Sequence, residues 1–511
     1  MKKYIHITWL LALIAAPQLC FGQPLFNSIY DYDSTGDWGT NVFVKPDNSY
    51  LLMGGGAKQG NGWDAFWMDI SQDGSQVLAK QYVQSTLTSY YIGGYGRTEK
   101  LQDGGYIIPH QFVKPGTGFD RYSSGLLKLD NQKNIVFAKY YTDTANCQEF
   151  TEDVTVLPDG GYIVAGGIDT PGIPRNDGLL LRMDSNGNLL WRKVYRKYPV
   201  NNYYGFFRSV QYIGNNTVFA CARWGNYMTL GSFVYNRFAP WLMLLDLQGN
   251  IIKDTLLSQG YINNWGASRD VNGGFYHWGA LDTFLTSDPE NYQNLPGYLE
   301  RLDDSFHVLW TKRFGNLDDH IAVMNVKQTQ DGNYIAVGRG LMANEVGMQG
   351  WAAKLDKNGF VMWEHIYAAP HKNWNQAYLV DFAERPDKSI VMSGSTRSDT
   401  VDLWRAYDAW LLSVDSNGCE IPGCNPNAVE QPVYNEGAIS VYPNPTTGEF
   451  TADAKDEGSG VISDLQGREI KRIHIVKGKN EMSLPVGLAS GVYLLQYRTA
   501  HGNVNVRLIK E

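Results

Sequence analysis

A short turn leading into an apolar strand recurs seven times along this chain, and that repetition limits the fold more than any other feature. The copies are Asp47-Asn-Ser-Tyr50, Asp103-Gly-Gly-Tyr106, Asp159-Gly-Gly-Tyr162, Gly214-Asn-Asn-Thr217, Asn272-Gly-Gly-Phe275, Asp331-Gly-Asn-Tyr334 and Asp387-Lys-Ser-Ile390. Their mean spacing is about 57 residues. Gly and Asn supply the positive φ that tight hairpins require.

A second marker follows each first one. The third unit reads Asp184-Ser-Asn-Gly187-Asn-Leu-Leu-Trp191-Arg-Lys-Val-Tyr195, and the sixth reads Asp356-Lys-Asn-Gly359-Phe-Val-Met-Trp363-Glu-His-Ile-Tyr367. Weaker copies carry Leu78 with Tyr82, Phe137 with Tyr141, and Trp310 with Phe314, and the fourth has drifted to Lys253 and Leu257. Side chains alternate along a strand, so aromatics four apart share one face and read as packing between units. Each unit predicts four strands, in the third Val154–Leu157, Tyr162–Ala165, Leu179–Met183 and Leu189–Tyr195. Four short strands per long repeat is the pattern of a β-propeller, here with seven blades. The seventh unit lacks its last strand, while the N-terminal Phe26-Asn-Ser-Ile-Tyr30 matches Trp363-Glu-His-Ile-Tyr367 in type and spacing. That segment is predicted to complete the seventh blade and remove two open sheet edges.

Composition supports an all-β, exported chain. The 54 Gly, 32 Tyr and 15 Trp suit strands and turns, not helices. A net charge of −8 without a basic cluster argues against nucleic acid. Residues 1–22 read as a signal peptide, with Lys2 and Lys3 before the apolar Ile7 to Ala16 and a small-x-small site at Cys20-Phe21-Gly22. No later run has the length of a transmembrane segment. In an oxidising compartment Cys419 and Cys424, separated by Glu-Ile-Pro-Gly, are expected to form a disulfide. Cys221 lies in an apolar strand and is expected to pack in the core.

The propeller is expected over residues 23–424, a polar linker over 425–438, and a small Ig-like β-sandwich over 439–511. In the last region, Val441-Tyr442-Pro443-Asn444-Pro445-Thr-Thr-Gly448-Glu-Phe450 resembles the opening of the type A sorting domain of the type IX secretion system. Asp464-Leu-Gln-Gly467-Arg468-Glu resembles its central turn, and Gly491-Val-Tyr493 with Arg507-Leu-Ile-Lys510 resembles its end. The resemblance implies recognition by the type IX machinery, passage through the outer membrane after the periplasm, and usually removal of the module. The product would then be secreted or held at the cell surface.

No motif for a nucleophile elbow, a zinc protease or a phosphate loop occurs. No catalytic residue, metal ligand or cofactor is assigned. Asp31-Tyr-Asp33-Ser-Thr-Gly36-Asp37 offers clustered oxygens of the kind calcium takes, but it lacks a full twelve-residue loop and its terminal Glu, and reads better as a solvated loop. The leading expectation is a non-catalytic binding protein for glycan or protein ligands. The alternatives are a propeller enzyme acting on polysaccharide, hydrolase or lyase, and a structural surface scaffold.

Loop lengths suggest which face binds. With strands labelled a to d from the channel outward, the a–b and c–d turns are tight and share one face. Long b–c loops, such as Arg223 to Pro240, Leu281 to Gly297 and Ser395 to Asp408, and d–a loops, such as Tyr195 to Phe207, are expected on the other. The ligand-binding candidates there are Trp38, Tyr91, Tyr204, Trp265 and Trp374 between blades, and Trp224 and Trp404 in b–c loops.

Overall fold

The computed structural model describes residues 24–511, except 31–35, 59–61, 83–89, 92–96, 114–121, 142–146, 170–175, 198–202, 231–232, 258–261, 282–295, 316–319, 342–346, 371–373, 399–406, 422–438, 465–468, 486 and 500–501. The signal peptide, Asp31 and Asp33, Trp404, Cys424 and Gly467 therefore lie outside the described residues. The chain divides into two compact units, Met1–Pro426 and Asn427–Glu511.

In the first unit the described residues form seven antiparallel sheets. The third blade is typical: Gln148–Val156, Tyr162–Asp169, Asn176–Met183 and Leu189–Tyr195 pair in chain order. Its first two strands extend beyond the alternating apolar stretches that the sequence marks. The seventh blade orders Trp374–Glu384, Ile390–Ser398 and Tyr407–Val414, and its outermost strand is the N-terminal Phe26–Tyr30. That strand runs antiparallel to the third, with Phe26 opposite Ser413 and Tyr30 opposite Ala409. The ring is thus fastened by the first described strand of the chain.

Successive copies of the second marker meet between neighbouring blades. The marker tyrosine donates its hydroxyl to the carbonyl of the c–d turn glycine one blade on: Tyr141 to Gly187 at 2.7 Å, Tyr195 to Gly249 at 2.7 Å and Tyr367 to Gly418 at 2.8 Å. Tyr30 makes the same bond to Gly74 at 2.8 Å, carrying the pattern from the seventh blade to the first. Trp191 and Trp363 add indole N–H bonds to Leu247 and Ser416 carbonyls in those same turns. Glycine is required there for two reasons. Gly418 has φ of 77°, and a Cβ on it would fall 2.9 Å from the Trp363 ring. His365, between Trp363 and Tyr367, is 3.2 Å from the Asn417 carbonyl through Nε2, so it is part of this packing. Tyr195→Phe is expected to lower stability by about 1 kcal/mol, read from the urea midpoint at unchanged m value.

The core lies within and between the sheets. Leu180, Phe207, Ala220 and Met243 fill the space between the third and fourth blades, and Cys221 is fully buried, as its apolar strand predicts. Cys147 and Cys221 are thiols outside any disulfide.

The second unit is a sandwich of two sheets. One holds Ile439–Tyr442, Glu449–Ala454 and Gly478–Ser483, the other Glu469–Ile475, Gly458–Ser463, Gly491–Thr499 and Gly502–Lys510. Phe450, Ile462, Leu495, Tyr497 and Leu508 form its core. No helix among the described residues is long and apolar enough to cross a membrane.

Candidate functional site: a polar cup in the channel

The innermost strands build the site, and one irregularity decides what they present. In six blades the a strand carries a β-bulge, with Thr40, Glu152, Arg208, Trp265, Met324 and Val380 as the extra residues. A bulge breaks the alternation of a strand and re-aims consecutive side chains. Here the bulged residues line a constriction of about 20 Å³, where Glu152 and Arg208 form an ion pair at 2.8 Å.

The residues just after the bulge fall at equivalent places: Asn41, Asp153, Ser209, Gly266, Asn325 and Asp381, with Arg97 in the second blade. Several of them tie one blade to the next. Asp381 accepts from the Val42 N–H at 3.2 Å, Asn41 from Thr98 N–H at 3.2 Å, Asp153 from Val210 N–H at 3.0 Å, and Ser209 from Ala267 N–H at 2.9 Å. Two residues further along the scheme repeats, with Glu99 accepting from Val156 N–H, Thr155 from Tyr212 N–H and Gln211 from Arg269 N–H. Arg97 reaches across the channel instead. It bonds Asp153 and Ser209 at 3.3 Å each, and its guanidinium lies 5.1 Å from the Trp278 ring of the fifth blade. Gly266 leaves the room for this, since any Cβ there would collide with Arg97 and Trp278.

Beyond this ring lies a cavity of about 360 Å³. Its lining includes Glu99, Lys100, Gln211, Ser268 and Lys327, on the half of each inner strand that runs into the a–b turn. Two of its carboxyls titrate abnormally. Burial, opposed by the Arg97 charge, raises Asp153 to about 6. Burial, with the Asp153 charge beside it, raises Glu99 to about 8. The folded protein then keeps protons that the unfolded chain releases near pH 4. Between about pH 4.5 and 8 the unfolded state binds fewer protons, so stability falls as pH rises through that window. Glu99→Gln is expected to flatten this decline, gaining on the order of 2 kcal/mol at pH 8 relative to pH 5 in denaturant melts.

The aromatic candidates are placed differently from the sequence expectation. Trp38 is 8% exposed and packs edge-on against Tyr407, and Trp224 is 2% exposed against Trp241. Both rings are core and present no face to a ligand. The expected loop Arg223 to Pro240 is largely strand, because Thr217–Leu230 and Phe233–Asp246 form one long hairpin. Tyr204 and Trp265 are half-buried, Trp265 at the constriction with the Arg208 guanidinium 5.1 Å from its ring. Tyr91 and Trp374 lie in strands, their side chains outside the described residues. Of these candidates, none whose side chain is described lines the cup. Among the described residues no group of three or more His, Cys, Asp or Glu is placed to hold a metal ion.

In the second unit the ends of the sorting motifs come together. Thr446 N–H donates to the Ile509 carbonyl at 2.8 Å, Ile509 N–H to Asn444 Oδ1 at 2.8 Å, and Glu511 N–H to the Thr446 carbonyl at 3.0 Å. Tyr442 remains 42% exposed beside Pro443 and Pro445. Gly448 has φ of 133°, and the buried Tyr493 donates its hydroxyl to the Ala489 carbonyl. Gly491 opens the strand that ends the pairing with Lys510.

No curated protein matches the chain. Solved structures similar to it include a protein of unknown function from Dyadobacter fermentans, at 11% identity and a TM-score of 0.41, covering 77% of this chain and 98% of that one. The β-propeller domain of the Trilobed protease from Pyrococcus furiosus is 9% identical, with a TM-score of 0.40 over 75% of this chain and 93% of that one. A polysaccharide lyase, the PL25 ulvan lyase, is 8% identical, with a TM-score of 0.48 over 76% and 96%. At such values the likeness says nothing of ligand or activity. Residues 440–511 match the family described as a secretion system C-terminal sorting domain. The C-terminal unit is therefore a type IX secretion sorting domain, and the chain is a protein exported to the cell surface or extracellular space.

Proposed function

We propose that the exported propeller is a non-catalytic binding protein for a glycan or protein ligand, and that the channel cup takes part of that ligand. The cup itself carries this reading: a cavity of small-ligand size whose walls mix amide, hydroxyl, carboxyl and ammonium groups. The carboxyls described in its lining already serve the fold, Asp153 held by Arg97, Asp381 by Asn41 and Asn325, and Glu99 by the Val156 N–H. A second reading, a polysaccharide hydrolase or lyase, draws on Glu99, which holds its proton to about pH 8 and has the protonation state of a general acid. Tyr204, Tyr91, Trp374 and Trp404 remain proposed contacts for a ligand that extends beyond the cup.

A glycan array run beside a release assay on the same polysaccharides separates these. Binding without release supports the first reading, and release supports the second. Absence of both leaves a structural scaffold and contradicts the proposal. The mature protein is further expected to begin near Gln23, to end between Cys424 and Ile439, and to carry a Cys419–Cys424 disulfide. Intact mass and non-reducing peptide maps of material from the native host check this, and a form still ending at Glu511 would contradict removal of the sorting domain.

A further inference from the structure

We infer that the ligand taken by the cup is an acidic saccharide, whose carboxylate or sulfate is held at Lys100 and Lys327. The inference rests on the cup being the binding site, and it follows from the charges and hydrogen bonds of the lining. Among the described residues the cup is lined by three cations, Arg97, Lys100 and Lys327, and by the carboxyls Glu99, Asp153 and Asp381, with Tyr276 as the other titratable group. Arg97 pairs with Asp153, and Lys327 with Asp381. Glu99 carries no charge at neutral pH, because burial and the Asp153 charge hold its proton. That leaves one positive charge in surplus. Lys100 is exposed, and among the described residues no ion pair or hydrogen bond engages its side chain. The Lys327 side chain is 47% exposed, and its ammonium donates to Asp381 and to the Phe382 carbonyl. A cationic cup on a chain of net charge −8 selects anions locally against the field of the whole molecule.

The same lining argues for a saccharide over an acidic peptide. A peptide entering a propeller channel would add to the free edges of the inner strands through backbone hydrogen bonds. Those edges are occupied: the N–H groups of Thr98, Val156, Val210, Tyr212, Ala267 and Arg269 all donate to side chains of the preceding blade. What the cup offers in their place is the amide nitrogen of Gln211, whose oxygen accepts from Ser268 and Arg269, with the Ser268 hydroxyl oxygen and the Asn325 amide, groups suited to hydroxyls, around the Lys100 and Lys327 ammonium groups. Protonated Glu99 can donate to an anion. Above its titration its charge opposes one, so binding weakens as pH rises past about 8.

The test titrates the full exported chain with polygalacturonate, chondroitin sulfate, neutral laminarin and poly-glutamate. The expected result is binding of one or both acidic polysaccharides, weakened by salt and at pH 9, with laminarin unbound. Lys100→Ala should weaken it at least about fivefold, Lys100→Glu should abolish it, and Lys100→Arg should restore it. Polygalacturonate against chondroitin sulfate distinguishes carboxylate from sulfate as the group recognised. Equal binding of laminarin, unaffected by Lys100→Glu, would overturn the acidic ligand while leaving glycan binding intact. Binding of poly-glutamate alone would overturn the saccharide. Binding of none of the four would count against the cup as a site altogether.

Discussion

Deleting Phe26–Tyr30 should lower the thermal midpoint of the propeller by about 10 °C, the largest effect expected of any change so small. The strand does more than add five residues to a sheet edge. Phe26 packs 5.5 Å from the Tyr50 ring, on the first blade. Asn27 donates to the Ala368 carbonyl at the end of the sixth blade and accepts from Trp410 Nε1 of the seventh at 2.7 Å. Tyr30 bonds Gly74 of the first blade. One short segment thus joins three consecutive blades. Losing its side-chain burial costs about 5 kcal/mol at a few kcal/mol per large apolar group. At about 2 °C per kcal/mol for a domain of this size, that gives the expected shift. Melting followed by circular dichroism at 218 nm or thereabouts suffices, and an unchanged midpoint would mean that the ring does not depend on this fastening.

The second large effect is expected at Asp381. The residue is 1% exposed, and its carboxylate accepts from Asn325 Nδ2 on the sixth blade, from Asn41 Nδ2 and Val42 N–H on the first, and from Lys327. Asp381→Ala removes the shared acceptor and strands buried donors from two other blades. Losing one partner of a buried, multiply bonded charge costs about 3–5 kcal/mol, because the groups left behind stay desolvated. Urea unfolding should show that loss. A cost below about 1 kcal/mol would mean that water replaces the carboxylate and that the tie is dispensable.

The parts of this fold that were legible in the sequence are those where chemistry leaves few choices. A turn at positive φ favours Gly or Asn, and Gly160, Gly187 and Asn216 adopt it, although Lys133, Phe306 and Lys388 do so too. The aromatic that ends a blade's last strand must reach the next blade, so Tyr195 and Tyr367 stand out at fixed spacing, and the stray Tyr30 reveals where the ring closes. The sorting domain was legible for a similar reason, since its opening Tyr442-Pro443-Asn444-Pro445 must meet the C-terminal strand.

The site was not legible, and the bulges explain why. Alternation marks only the part of an inner strand after its bulge, so Gln148–Val156 looked like Val154–Leu157 and the earlier half looked like loop. Trp38 and Tyr204 were consequently assigned to loops although they lie in strands. A signal was present. The bulged strand presses against its neighbour, and at Gly54, Gly166, Gly338 and Gly394 a Cβ would collide with its backbone. Each glycine falls four residues after the first residue of its marker strand, Tyr50, Tyr162, Tyr334 and Ile390. Counting one residue past each bulge would have located the ring. What no local pattern could supply is the meeting of Arg97 with Gly266, 169 positions apart, which only the closed ring brings about.

The central claim is that this exported propeller binds its ligand in the cup at the a–b end of the channel. Hydrogen-exchange footprinting tests it most directly, comparing the full exported chain alone and saturated with the polysaccharide that binds. Protection is predicted at Thr98–Lys100, Val210–Gln211 and Asn325–Lys327, strands that line the cup, with little change elsewhere in the propeller. Protection confined to the b–c connections, with those three segments exchanging as before, would contradict it.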